Sequence, residues 1–184
     1  YELADLENRL GAGGVRLVAA TSANFATGFR ADLEAIGALC AKYGALHCVD
    51  AIQTLGVFPL DVKKCKIDFL SADSHKWLMG PEGAALFYCA KEKLDLIDDS
   101  LIGWMGRKGF WNYDQLNLPP DPTARRFEDG APNVAGTMSM GESLKLILGV
   151  GVEKIGARNR QLCRILEEGF AKMGWTVVSP RDEK

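Results

Sequence analysis

Short apolar runs alternate with an amphipathic stretch in the first half of the chain, a pattern typical of α/β proteins. Four apolar runs predict strands, at residues 15–20, 45–49, 67–71 and 84–88. Between the first two runs, Leu33, Ile36 and Cys40 recur with helical spacing over residues 31–43, and Gly44 follows as a helix terminator. Strand–helix–strand order predicts a mostly parallel sheet with helices on its faces.

Residues 103–122 interrupt this pattern. The segment is rich in Gly, Trp, Asn and Pro and has no hydrophobic period, so we predict a long, partly ordered loop. Helical spacing returns over residues 138–150 and again over 152–173, and an apolar run at 175–178 predicts a further strand.

The break between the two predicted helices falls at Gly149–Gly151, where we predict a domain boundary. Residues 1–150 are then part of a large domain, and residues 151–184 are the start of a small C-terminal domain.

Composition and charge exclude several functional classes. A formal net charge of -2 gives no reason to expect nucleic acid or an anionic membrane as a partner. No apolar stretch is long enough to span a bilayer, and the acidic start lacks the layout of a signal peptide. Five cysteines without a CxxC pair predict neither a disulfide framework nor a metal site. We therefore expect a cytoplasmic protein with reduced thiols.

Polar residues that can carry chemistry follow two of the predicted strands. Asp50 ends the second strand, with Gln53 shortly after it, and Ser74, His75 and Lys76 follow the third. A carboxylate and a lysine that follow neighbouring strands can bind the two opposite ends of a flat heteroaromatic cofactor. Pyridoxal 5'-phosphate needs an anion at its protonated ring nitrogen and a lysine at its aldehyde carbon.

Four motifs in order give this chain a resemblance to the class V aminotransferase family of pyridoxal-phosphate enzymes. The motifs are Asn24 to Gly28, Asp50 to Gln53, His75-Lys76 before Gly80-Pro81-Glu82-Gly83, and Arg126 to Asn133. The resemblance covers nearly the whole chain and is to cysteine desulfurases, selenocysteine lyases and isopenicillin N epimerase-like enzymes. It implies an aspartate-aminotransferase-like fold, present here in incomplete form.

The resemblance also implies roles for single residues. Lys76 would form the Schiff base and move the proton at the substrate Cα, and burial would lower its pKa. Asp50 would pair with the ring nitrogen, and Gln53 would donate to the 3′-oxygen. The resemblance further implies that His75 and Ser74 donate to the phosphate. Asn24 lies near the end of the first strand, where the family places an amide facing the cofactor or substrate, but one residue before the usual position of that amide.

Three positions depart from the family pattern. Asp73 stands where a serine is usual, Phe25 where the asparagine is usual, and Ala131 where a threonine reaches the phosphate of the partner subunit. An aspartate would repel a phosphate, so we expect Asp73 to point away from it. The resemblance implies a homodimer, with the segment from Arg126 to Asn133 crossing between subunits.

The reaction stays open at this point. Transamination, desulfuration and epimerisation of an amino acid all start from the cofactor bound to the lysine. None of the five cysteines fits a persulfide nucleophile. Family members carry a phosphate loop that would precede Tyr1 and an arginine that would follow Lys184. We therefore expect part of a longer enzyme.

Two alternatives stand beside the enzyme. One is a truncated, non-catalytic fragment. The other is a nucleotide-binding module, which is disfavoured because the glycines at 11–14 precede a strand instead of linking a strand to a helix.

Overall fold

The chain folds into four strands and four α-helices, in a computed structural model that describes residues 2–98 and 103–180. The helices are α1 (Leu3–Gly11), α2 (Leu33–Tyr43), α3 (Val134–Val150) and α4 (Val152–Lys172), and the strands are β1 (Leu17–Thr21), β2 (Leu46–Asp50), β3 (Phe69–Asp73) and β4 (Ala85–Cys89). Short 3-10 turns occupy Lys91–Leu96, Trp104–Gly106 and Ala124–Phe127.

The sheet has the order β1-β2-β3-β4. β1, β2 and β3 run parallel, and β4 is antiparallel to β3. The prediction of a mostly parallel α/β sheet is confirmed. β4 reverses direction because the connection from Asp73 to Ala85 contains no crossover helix, and parallel pairing of adjacent strands needs a longer crossover. The carboxyl ends of β1, β2 and β3 therefore lie at one edge, where β4 begins.

One face of the sheet carries the core. The side chains of His47, Val49, Leu70 and Ala72 lie on this face and are almost fully buried. They share it with Ile36 and Cys40 of α2 and with residues of α1. Burying a side chain such as Ile36 stabilises the fold by roughly 1.5–3 kcal/mol. On the opposite face the side chains of Asp50, Ser71 and Asp73 are exposed.

Helix α2 begins two residues later than predicted. The backbone N–H of Ala31 donates to Ser22 O at 3.0 Å, which keeps Ala31 outside the helix. Asp32 is the N-cap, and its Oδ1 accepts the N–H of Ala35 at 3.0 Å. Gly44 ends the helix with a φ of 71°, which is the left-handed conformation expected of a glycine at that position.

The two C-terminal helices agree with the predicted break. Gly151, with a φ of 95°, separates α3 from α4, although its role as a domain boundary stays a prediction. The strand predicted at 175–178 is wrong, because these residues are irregular. The N–H of Trp175 donates to Phe170 O and so closes the end of α4 instead of joining a sheet.

The loop predicted at 103–122 is irregular apart from the 3-10 turn at Trp104–Gly106 and an isolated bridge between Arg107 and Pro120. Trp104 packs edge-on against Phe110 and Trp111 there. Among the helices that the structure describes, none has the length and apolar character to cross a membrane.

A buried histidine gives the fold a pH dependence. His47 is 0% exposed, and its Nδ1 lies 3.2 Å from Cys65 O, so this nitrogen carries the proton. Within residues 2–98 and 103–180 its Nε2 has no hydrogen-bond partner. Burial lowers the pKa of His47, against smaller opposing effects of the Cys65 and Lys66 backbone and the Asp68 charge. The folded protein therefore holds His47 neutral.

We expect the free energy of unfolding to fall as the pH drops below about 6.5, because His47 then becomes protonated in the unfolded chain but stays neutral in the folded one. Urea unfolding at several pH values measures this. The variant His47→Asn should lose the dependence below that pH, and His75→Gln, which changes the exposed histidine, should keep it. The same acid dependence in His47→Asn would contradict the assignment.

Candidate active site

The predicted chemical residues meet at the carboxyl edge of the sheet. Asp50 is the last residue of β2, and Lys76 follows the end of β3 at Asp73. Asp50 pairs in register with Ser71 of β3, so the two strands place their following loops side by side. These are loop A, residues 51–58, and loop B, residues 74–80.

Loop A and loop B touch directly. Gly56 of loop A has a φ of 100°, and a Cβ at this position would lie 2.5 Å from Trp77 O of loop B. Only glycine tolerates both this conformation and this approach. The contact fixes the loop that carries Gln53 against the loop that carries Lys76.

Asp50 presents a carboxylate to solvent from the strand end. Its Oδ1 accepts the N–H of Ile52 at 3.0 Å, which turns the chain into loop A, and its carbonyl accepts the N–H of Ser22 at 2.8 Å. Among the described residues the second carboxylate oxygen has no hydrogen-bond partner. The side chain of Gln53 is half-buried and likewise makes no side-chain hydrogen bond within that part of the chain.

Loop B holds Lys76 at its tip. The N–H of Gly80 donates to Ser74 O at 2.8 Å, and the N–H of Met79 donates to Lys76 O at 3.0 Å. Met79 has a φ of 55°, a conformation that costs a non-glycine residue about 1 kcal/mol. Ser143 of α3 donates its hydroxyl to Met79 O at 2.8 Å and so supports this strained residue.

Lys76 is exposed, and the expectation of a buried lysine is wrong for this structure. The reason is its place at the tip of a loop on the open edge of the sheet. Within the described residues the Lys76 amine has no hydrogen bond or ion pair. It is therefore free to react with or bind a ligand at this edge.

Ser74 does not act as predicted in this conformation. Its side chain is 0% exposed, and its hydroxyl donates to Pro81 O. A hydroxyl has one hydrogen, so it cannot also donate to a phosphate. Ser74 instead fastens loop B to the turn at Gly80–Gly83.

His75 is exposed beside Asp73. Its Nδ1 lies 3.9 Å from Asp73 Oδ2, which is a loose contact. The Asp73 side chain therefore lies toward His75, and the expectation that it points away from a bound phosphate stays a prediction. His75 remains able to donate to an anion at this edge.

Asn24 follows β1 at the same edge and organises a turn. Its Oδ1 accepts the backbone N–H groups of Ala26 at 2.9 Å and Thr27 at 3.0 Å. The amide oxygen is thus committed locally. Within the described residues its Nδ2 group has no partner, so one end of the predicted amide stays available.

The fourth motif is anchored structurally. Arg126 donates from Nη1 to Asp95 Oδ1 at 3.0 Å and from Nε to Asp121 O at 2.9 Å, and its side chain is only 11% exposed. Arg126 therefore holds this segment in place and is not an anion ligand here. Asn133 caps α3 and donates to Gly83 O at 3.0 Å, which ties the motif to the turn beside loop B.

Sequence reasoning missed Gly56 and Ser143. Gly56 lies in loop A outside the Asp50–Gln53 motif, and Ser143 bonds a residue 64 positions away, so neither has a local sequence signal. The contact of loop A with loop B depends on Gly56, and the conformation of loop B depends on Ser143.

Known proteins are similar to this chain over most of its length. The family model for class V aminotransferases matches residues 1–184. A probable cysteine desulfurase of Pyrococcus abyssi is 34% identical over 187 residues, covering 98% of this chain and 44% of that protein. The uncharacterised aminotransferase YcbU of Bacillus subtilis is 29% identical over 156 residues, and the match covers 85% of this chain and 41% of YcbU.

A solved structure agrees with the fold. The apo structure of a cysteine desulfurase from Thermococcus onnurineus NA1 superposes with a TM-score of 0.88 at 29% identity, covering 98% of this chain and 44% of that one. The chain thus spans less than half the length of these relatives. Sequence motifs, fold and a match to the family model over every residue together show that the chain belongs to the class V aminotransferase family.

Proposed function

We propose that this chain carries the lysine half of a pyridoxal-phosphate site that acts on the amine of an amino acid. The carrying observation is that Asp50 ends β2 and Lys76 lies in the loop after the neighbouring strand β3, and that the two loops touch through Gly56 and Trp77. Each side chain has a polar group without a partner among the described residues. An exposed carboxylate and an exposed amine on two adjoining loops suit a ligand with a cationic end and an electrophilic end.

The residues present fit pyridoxal phosphate. When bound, the cofactor supplies an aldehyde carbon that condenses with an amine with loss of water, and a ring that takes up the electron pair left at the substrate Cα. Asp50 holds a negative charge where the ring nitrogen must stay protonated, because an adjacent anion favours the protonated form.

The other roles follow from donor chemistry. Lys76 would supply the primary amine that holds the cofactor and a base for the Cα proton of the substrate. Gln53 offers an amide N–H from loop A to the ring oxygen. His75 offers a ring N–H to the phosphate, while Ser74 only positions the loop. Asn24 offers its Nδ2 group to cofactor or substrate.

Asp50 and Lys76 serve several reactions equally, so the reaction class is argued from the relatives and from the cysteines. Relatives include a probable cysteine desulfurase and an aminotransferase, and epimerisation uses the same first steps. Burial raises the pKa of the Cys48 and Cys65 thiols, which opposes a role as nucleophile. Cys163 lies on α4, a rigid element, with its Sγ 3.8 Å from Asn159 Oδ1. We therefore propose transamination or epimerisation ahead of desulfuration by a cysteine among the described residues.

The competing proposal is a non-catalytic fragment. It is favoured by the exposure of Lys76. We also propose a homodimer, in which the segment from Arg126 to Asn133, with Asp129, Ala131 and Pro132 exposed, faces the partner subunit. Such a partner would cover the open edge at which Lys76 lies.

The variant Asp50→Asn tests the role of the carboxylate. We expect it to weaken pyridoxal phosphate binding by about tenfold or more, because it removes the charge that pairs with the ring nitrogen. Titration of the cofactor, followed by visible absorbance, measures the change. Asp61→Asn is the matched control, since Asp61 is also a loop aspartate whose Oδ1 accepts backbone N–H groups. Equal affinity in Asp50→Asn and the unchanged protein would remove Asp50 from the site.

A further inference from the structure

A buried pair of hydroxyl groups joins the end of β1 to loop A. Ser22 directly follows β1 and is 1% exposed, and Thr54 lies in loop A and is 6% exposed. Their hydroxyls share a hydrogen bond of 2.7 Å, although the two residues are 32 positions apart in the sequence. Neither residue belongs to the motifs that carry the proposed cofactor site. Because a buried hydroxyl costs free energy unless it is hydrogen-bonded, each of the two side chains depends on the other.

The main chain of Ser22 holds the end of β2. Thr21 pairs in register with Asp50, and the next N–H along the chain, that of Ser22, donates to Asp50 O at 2.8 Å. The carbonyl oxygen of Ser22 accepts the N–H of Ala31 at 3.0 Å. The backbone of Ser22 is therefore fixed on both sides, so its hydroxyl occupies a defined place at the end of β2.

Thr54 organises loop A. Its N–H donates to Ala51 O at 3.0 Å, which closes the first turn of the loop. Its carbonyl oxygen accepts the N–H groups of Val57 and Phe58, each at 3.0 Å, which closes the second turn. Both turns of loop A thus meet at Thr54, and the Thr54 side chain attaches them to Ser22.

The hydroxyl bond closes a ring of contacts that includes Asp50. The ring runs from Ser22 through Asp50 O into loop A, and it returns from Thr54 to Ser22 through the two hydroxyls. Inside loop A the N–H of Ile52 donates to Asp50 Oδ1 at 3.0 Å. The direction of this N–H depends on the turn from Ala51 to Thr54. Breaking the hydroxyl bond therefore loosens the donor that orients the Asp50 carboxylate.

We infer that the hydrogen bond between Ser22 and Thr54 positions the Asp50 carboxylate, which makes both of them positioning residues. The inference rests on the proposed function, in which Asp50 meets the ring nitrogen of the cofactor. Two apolar side chains could fill the same space, but a hydrogen bond also restrains the distance and the direction between its partners. Loop A is further restrained by the approach of Gly56 to Trp77 O. The loop is thus held to β1 through Thr54 and to loop B through Gly56.

Backbone hydrogen–deuterium exchange, measured by NMR in the cofactor-free chain, tests the positioning alone. In Thr54→Val the N–H of Ile52 should exchange about threefold to tenfold faster, because the hydrogen bond that supports its turn is lost. The amides of the core strand β3 should keep their exchange rates, which would show that the effect is local. Thr54→Ser keeps the hydroxyl and should exchange as the unchanged protein does. Unchanged exchange at Ile52 in Thr54→Val would overturn the inference.

Titration with pyridoxal phosphate, followed by visible absorbance, tests whether this positioning reaches the cofactor. Thr54→Val and Ser22→Ala should each weaken binding by about threefold to tenfold, and Thr54→Ser should bind as the unchanged protein does. In an Asp50→Asn background, Thr54→Val should have little further effect, because the hydroxyl pair acts through Asp50. A role in stability alone would instead weaken binding by the same factor with and without the Asp50 carboxylate, and that result would contradict the inference.

Thr123→Val is the matched control. The Thr123 hydroxyl also bonds a side chain, that of Asp121, but it lies outside the proposed site, so this variant should leave both readouts unchanged. Circular dichroism checks that all variants stay folded. If the unchanged protein did not bind pyridoxal phosphate, the proposed function would fail, and the exchange rate at Ile52 would still decide the positioning of Asp50. If the unchanged protein bound the cofactor and Thr54→Val bound it equally tightly, the inference alone would fail.

Discussion

Replacing Lys76 by arginine is expected to abolish cofactor-dependent chemistry while the protein stays folded. Arginine keeps the positive charge at the tip of loop B, but its guanidinium does not condense with an aldehyde and does not release a proton at neutral pH. Loss of a positioned proton-transfer group costs roughly 10²–10⁴-fold in rate. Because Lys76 is exposed and unpaired among the described residues, its replacement removes no stabilising contact.

Hydrogen–deuterium exchange at the Cα of an added amino acid, followed by NMR in the presence of pyridoxal phosphate, measures this effect. The readout is shared by transamination, desulfuration and epimerisation, so it does not require the reaction to be known. Lys154→Arg, on an exposed lysine of α4, is the matched control. Cα exchange in Lys76→Arg at the rate of the unchanged protein would show that Lys76 is not the base.

Replacing Gly37 by alanine is expected to have the largest effect on stability. Gly37 lies in the middle of α2, where a Cβ would be 1.9 Å from Cys65 O and 3.1 Å from His47 Nδ1. The clash is with backbone, so a side-chain rotation does not relieve it. Overpacking of this kind costs about 3 kcal/mol or more, which outweighs the gain of about 1 kcal/mol in helix propensity. The missing side chain makes room for the hydrogen bond between His47 and Cys65.

Urea unfolding measures the change, and a matched glycine provides the control. Gly141 lies inside α3 with no atom within 4 Å of an added Cβ. Gly141→Ala should therefore be neutral or stabilise by up to about 1 kcal/mol. If Gly37→Ala unfolded at the same urea concentration as the unchanged protein, the packing of α2 against Cys65 described above would be incorrect.

Local patterns were sufficient to predict the sheet and the edge that carries the site. The apolar runs predicted the strands because strands of parallel sheets are rich in apolar residues, and the parallel order placed Asp50 and the loop that carries Lys76 at one edge. The same reasoning failed at 175–178, where an apolar run closes the end of α4. Apolar composition shows that a segment can be buried, but pairing decides whether it becomes a strand.

Contacts between distant parts of the chain could not be predicted. The glycine at position 56 is required by Trp77, and the strained backbone of Met79 is held by Ser143. Ser74 looked like a phosphate donor from its place before Lys76, yet the fold turns its hydroxyl to Pro81. Each of these contacts depends on which residue the fold places next to the other. A local sequence pattern does not contain that information.

Covalent capture of the cofactor tests the central claim most directly. The chain is mixed with pyridoxal phosphate, reduced with borohydride, digested, and analysed by mass spectrometry to locate the fixed cofactor. We expect visible absorbance that disappears on reduction and a single modified peptide that contains Lys76. No stable adduct, or cofactor scattered over exposed lysines such as Lys108 and Lys154, would contradict the proposed site and favour a non-catalytic fragment.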